Sequence, residues 1–124
     1  MKPEKIVHLR SRNGLELHFR GSSPHFLTAE FLRVHSPSAE VRGHGNQTVP
    51  VPVNKQSVSL VQIVPQGQYA VKLIFDDGHD SGIYTWAYLH ELARDQEHLW
   101  QDYCARRDLE LERRAGNEPV RWIP

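Results

Sequence analysis

The run Phe75-Asp76-Asp77-Gly78-His79-Asp80-Ser81-Gly82 gathers three carboxylates, one imidazole and one hydroxyl. Oxygen and imidazole donors together suit divalent iron, zinc, nickel or manganese. The plainer reading is a hairpin tip: Asp77-Gly78 makes the turn, Gly82 relieves a close approach, and the charges are solvated. A second segment, His35 to His44, carries two histidines and Glu40 at irregular spacing. Its histidines lack the three- or four-residue separation that puts two ligands on one helical face, so histidines of surface or core are its plain reading. The two segments form a metal-ligand set (His79, His44, Glu40, Asp77 and Asp80) only if the fold brings them together. His79 is its first member.

Other chemistry is thinly represented. Cys104 lies beside Tyr103, Arg106 and Arg107; those cations would lower a thiol pKa, whereas a buried helix cysteine is inert. Neither a glycine-rich phosphate loop nor a Gly-x-Ser-x-Gly elbow is present. Non-haem iron oxygenases use two histidines and a carboxylate. Here Asp80 follows His79 directly, without the usual spacer, and 124 residues are few for the double-stranded helix of such enzymes. Trp86, Trp100 and Trp122 read as core or interface anchors.

Composition narrows the classes further. Apolar residues make up 39% and charged residues 24%, a globular balance. Basic and acidic residues number 15 each, so there is no overall basic excess for nucleic acid or a membrane surface. A lone cysteine excludes an intrachain disulfide and a cysteine-based zinc or iron–sulfur site. No apolar run approaches the roughly 20 residues that span a bilayer. The charged start Met1-Lys2-Pro3-Glu4-Lys5 lacks a following signal-peptide apolar region, and a cytoplasmic location is expected. Eight histidines are the compositional oddity.

The elements that must position these residues follow from pattern. Val7 and Leu9, then Leu15, Leu17 and Phe19, alternate around Asn13-Gly14 and predict a hairpin. Thr28 is a helix N-cap for a turn or two over 28–35, ended by Pro37. A polar stretch from Ser36 to Lys55 follows, of a length that in compact domains is usually functional or mobile. Val58, Leu60, Gln62 and Val64 are expected on one strand face. Tyr69, Val71, Leu73 and Phe75 form the next strand, and Ser81 to Thr85 returns after Asp77-Gly78. Leu89, Leu92, Gln96, Leu99, Trp100 and Tyr103 have helical spacing, continuing through about Arg114 until Gly116 and Pro119 stop it. The expected fold is α+β: one small antiparallel sheet of about five strands against a long C-terminal helix. One domain is expected over residues 1–124, with its core at about 5–105 and a tail at 115–124.

Three stretches also carry a resemblance: Leu32 to His44, Pro65 to Val71, and Phe75 to Leu89. Together they resemble the gamma-butyrobetaine hydroxylase-like N-terminal domain family, over roughly residues 5–105. In the hydroxylase the equivalent domain precedes the catalytic domain, holds a structural zinc through three cysteines and a histidine, and contributes to dimer contacts. The resemblance aligns that histidine with His79 and the cysteines with Ser36, Ser38 and Val41. It therefore implies that the thiolate half of the site is lost, leaving a site of nitrogen and oxygen donors. A related domain occurs fused to a plant ATPase that carries iron–sulfur clusters.

Three functions are carried forward in order. The first is a non-catalytic accessory module that binds iron or zinc and acts with a protein partner or as a homo-oligomer. The second is an iron or iron–sulfur handling protein. The third is a small enzyme using His79 as acid or base, oriented by Asp77 or Asp80.

Overall fold

Among the described residues, six strands form two three-stranded antiparallel sheets, ordered β1-β2-β3 and β4-β5-β6. The computed structural model describes residues 2–37, 51–78 and 80–116. The expected single five-stranded sheet is thus two sheets, while the α+β class and the long C-terminal helix stand. Buried side chains from both sheets and from the helices join one cluster. Among the described residues, no helix is long and apolar enough to cross a membrane.

The first sheet comprises β1 (Lys5–Leu9), β2 (Gly14–His18) and β3 (His25–Thr28). The connection between β1 and β2 is longer than a two-residue Asn-Gly turn: a 3-10 turn, Arg10–Arg12, precedes Asn13. Asn13 adopts the left-handed conformation at φ 51°, which asparagine tolerates better than most residues. Gly14 instead begins β2, where an added Cβ would lie 2.5 Å from the Leu27 carbonyl oxygen and from the Phe26 ring. Close packing against β3, not turn geometry, requires glycine there. The strand phase also differs from expectation. Ile6 pairs with Leu17 and His8 with Leu15, so Ile6 and His8, rather than Val7 and Leu9, share the face of the buried leucines.

The short helix α1 (Ala29–Val34) starts where Thr28 Oγ1 accepts the Phe31 N–H at 3.0 Å, as its N-cap role predicts. In the second sheet, β4 (Leu60–Gln66) pairs with β5 (Ala70–Phe75), and β5 with β6 (Asp80–Thr85). A bulge between Leu60 and Gln62 shifts the phase of β4 by one residue. Leu60 and Ile63, opposite Phe75 and Leu73, therefore face the core, and the predicted partners Gln62 and Val64 do not. The alternation of β5 holds, with Val71, Leu73 and Phe75 buried. A second irregularity, in the pairing of β5 with β6, lies beside Gly82, which takes φ 79°. Gly78 takes φ 78° in the preceding turn, the role its dipeptide predicts.

The helical remainder divides in two. Helix α2 (Trp86–Arg94) is capped by Thr85, whose Oγ1 accepts the Tyr88 N–H at 3.1 Å. Asp95, at φ −104° and ψ 19°, interrupts the run before α3 (Gln96–Arg114). Leu89, Leu92 and Ala93 enter the core from α2, whereas Tyr103 alone is fully buried among the residues of α3.

The two sheets meet through Asn13. Its Nδ2 donates to the Val58 carbonyl at 2.8 Å and its Oδ1 accepts the Leu60 N–H at 3.0 Å. One side-chain amide thus acts as a surrogate strand residue at the start of β4. Its own carbonyl accepts the Ala29 N–H at 2.9 Å, holding the start of α1. Asn13→Gly keeps the left-handed backbone but removes the amide, while Asn13→Ala removes the amide and strains the backbone. Urea unfolding is expected to rank wild type above Asn13→Gly above Asn13→Ala, with the alanine variant losing about 2–4 kcal/mol. An Asn13→Gly variant as stable as wild type would remove the amide from this role.

Candidate functional site

The C-terminal end of α1 must satisfy carbonyls that no longer have helical partners, and side chains distant in sequence do so. Tyr84 Oη donates to the Leu32 carbonyl at 2.5 Å, and Tyr88 Oη donates to that of His35 at 2.7 Å. His35 Nδ1 donates to the Phe31 carbonyl at 2.8 Å, which identifies the protonated nitrogen, because a carbonyl can only accept. The His35 ring lies 4.5 Å from the Phe31 ring and 6.3 Å from that of Tyr103, centroid to centroid. His35 is therefore a core histidine, one of the plain readings of its segment. Ser36, where the resemblance places a zinc thiolate, is fully buried.

From this helix end Arg33, itself buried, reaches the β5–β6 turn. Its Nε donates to Asp77 Oδ2 at 2.7 Å, and Lys55 Nζ donates to the same oxygen at 2.9 Å. Next to it, Asp76 Oδ1 accepts the Ser59 N–H at 2.9 Å and so closes the approach to β4. The fold thus brings the root of the His35–His44 segment against the root of the Asp77–Asp80 segment. Of the five expected ligands, Asp77 is at this joint and Asp80 begins β6. His79, His44 and Glu40 lie outside the described residues.

Among the described residues, no three histidine, cysteine, aspartate or glutamate side chains converge on a metal position. The donor chemistry agrees. Asp77 Oδ2 faces two cations, so a divalent ion at that oxygen would sit in an opposing field. The described residues alone do not fit a metal. Arg33, Lys55, Tyr84 and Tyr88 were not singled out by sequence reasoning, although all but Lys55 lie within the quoted motifs. Cys104 is half-buried, neither sealed in the core nor fully open. Trp86 and Trp100 pack against the core edge as anchors, and Trp122 lies outside the described residues.

A well-formed concavity lies elsewhere. A cleft of about 600 Å³ lies between the 3-10 turn, α1 and α3, with Arg12 and Glu30 on its walls and Trp100 against it. Arg12 stacks its guanidinium 3.9 Å from the Phe26 ring centre. Glu30 Oε2 is buried without a hydrogen-bond partner. Burial raises the Glu30 pKa above 4.5, partly opposed by Arg107. Burial also raises that of Tyr103, and the nearby Glu30 charge adds to it.

Because the folded Glu30 pKa is raised, its contribution is fully present below about 4.5 and lost as pH rises through the folded value. Glu30→Gln is therefore expected to be more stable than wild type at pH 7, with the advantage shrinking as pH falls through the raised folded pKa and gone below about 4.5, measured by urea unfolding at both ends. For the joint, Asp77→Asn strands a buried guanidinium and is expected to cost about 2–3 kcal/mol, whereas Lys55→Met costs less than about 1 kcal/mol. A double-mutant cycle of Arg33→Met with Asp77→Asn should give a coupling above about 1 kcal/mol; a coupling near zero would dissolve the joint.

Comparison with known proteins agrees with the fold and motifs. A search of curated proteins found no match. An NMR solution structure is 46% identical over 98% of this chain and 96% of that one, with a TM-score of 0.73. A second NMR structure is 39% identical over 99% of this chain and 93% of that one, at 0.70. A crystal structure of a protein of unknown function from Acidithiobacillus ferrooxidans, assigned to the DUF971 family, is 39% identical over 74% of this chain and 92% of that one, at 0.60. The family model described as gamma-butyrobetaine hydroxylase-like, N-terminal, matches residues 6–90. With the three motif stretches falling inside or along that span, the chain belongs to the gamma-butyrobetaine hydroxylase-like N-terminal family.

Proposed function

We propose that this chain is a non-catalytic binding module whose functional surface surrounds the joint between α1 and the β5–β6 turn. The observation that carries this reading is the partly buried Arg33–Asp77 pair with Lys55, linking residues 44 positions apart in sequence. That arrangement supports a polar binding surface better than a reaction centre, since its carboxylate is already engaged by two cations. Two motif segments rich in nitrogen and oxygen donors have their roots there. The proposed ligand is a divalent metal, iron or zinc, taken by His79 with His44, Glu40 and Asp80. Asp77 serves that site by holding the turn that carries His79.

A protein partner, or a second copy of the chain, is part of the same proposal. Val61, Tyr69 and Ile83 are large apolar side chains exposed by 45%, 58% and 40% along the second sheet and its hairpin turn. Exposed apolar groups grouped on one sheet support contact with another macromolecule.

The test is metal analysis of tag-free protein purified both aerobically and anaerobically. Near-stoichiometric iron or zinc, lost in His79→Ala while the fold is retained, is the expected result. A folded, metal-free protein whose melting temperature ignores added iron and zinc would end the metal reading. A pull-down from native extract tests the partner; recovery of no specific protein, together with a monomer in solution, would end that part.

A further inference from the structure

A second cleft, of about 510 Å³, opens between edge strand β1 and the β4–β5 hairpin. It falls in the size range of small-molecule sites. The register of β1 carries the His8 side chain to the same face as Leu15, and there its Nε2 is buried without a hydrogen-bond partner. The apolar wall is built from Ile6 and Ile63, both packed against the core, and from Trp86. Trp86 is held in place because its Nε1 donates to the Gln68 carbonyl at 2.7 Å.

The charged lining is unbalanced. Lys2 and Lys5 border the cleft, and among the described residues neither enters an ion pair. Among the described lining residues Glu4 is the one carboxylate, set against two ammonium groups and the imidazole. A buried ring nitrogen without a partner favours a ligand atom that supplies one. In one neutral tautomer and in the cation, Nε2 carries a proton to donate. An acceptor with negative charge also gains from the two lysines, and a hydrocarbon body gains from the apolar wall.

We infer that this cleft binds a small carboxylate with an apolar body. The carboxylate accepts a hydrogen bond from His8 Nε2, which a turn of the ring brings to the cleft surface, and lies within the field of Lys2 and Lys5. The apolar body lies against Ile6, Ile63 and Trp86. This site is separate from the joint at Asp77 and does not depend on a metal.

Hexanoate, hexanol and hexylamine, titrated into the full chain and followed by amide and indole NMR shifts, test it. Hexanoate is expected to shift β1 and the Trp86 indole resonance saturably. Hexanol should bind about tenfold more weakly or less, and hexylamine should leave both unmoved. His8→Phe keeps a ring in place but removes the donor, and the exposed pair Lys2→Ala with Lys5→Ala removes the field without touching the core. Each is expected to weaken hexanoate by about threefold or more. Absence of saturable shifts, hexylamine binding as tightly as hexanoate, or unchanged hexanoate binding in both variants would overturn the inference.

Discussion

Two small sheets that share a core but no strand need a device that sets one against the other, and here it is a single amide. Apolar contacts are weakly directional, so the common core of Leu15, Leu17, Leu73 and Tyr84 holds the sheets together without dictating their offset. The Asn13 side chain supplies direction by pairing with Val58 and Leu60 as a strand backbone would. The left-handed conformation of Asn13 aims that amide, and the absence of a Cβ at Gly14 lets β3 close on β2 immediately afterwards. Turn, sheet pairing and inter-sheet docking therefore meet at two adjacent residues.

The same logic recurs at the end of α1. A helix of this length is unstable alone, so its survival depends on tertiary partners at both ends. Thr28 and Asn13 hold its start, while Tyr84, Tyr88 and Asp77 hold its finish. The finish is the better-satisfied end, and it is where the two donor-rich segments originate. Rigidity there is what a binding surface needs, because a ligand set is only as well placed as the elements that carry it.

Helix α3 follows a different rule. Beyond Tyr103 it is mostly solvated, with Leu109 exposed by 60%, and its polar face is laced by Arg106–Asp102 and by Arg113 and Arg114 on Glu110. Those two guanidiniums hold the Glu110 carboxyl at about 2, well below its ordinary range. Such exposed pairs support helicity locally and add little to the fold. A neutral total charge thus conceals uneven local fields: paired and solvated on α3, cationic at the β1 cleft, and mutually neutralised at Arg33 and Asp77.

What the amino-acid order determined by itself was whatever depends on a few neighbouring residues. The Thr28 cap, the Asp77-Gly78 turn, the alternation of β5 and the helical spacing through Arg114 are all of this kind. The motif stretches from Leu32, Pro65 and Phe75 also identified the family directly. Tertiary structure decided what depends on distant pairing. One extra residue in β4 exchanged Gln62 for Ile63 in the core, the hairpin register turned His8 inward, and pairing divided the expected sheet into two. At the candidate site, the donor-rich turn was legible, but the Arg33–Asp77 contact across 44 positions was not. Capping, turn and periodic preferences act over a turn or two of chain, whereas strand phase and ion-pair partners are chosen only when remote segments compete for one another.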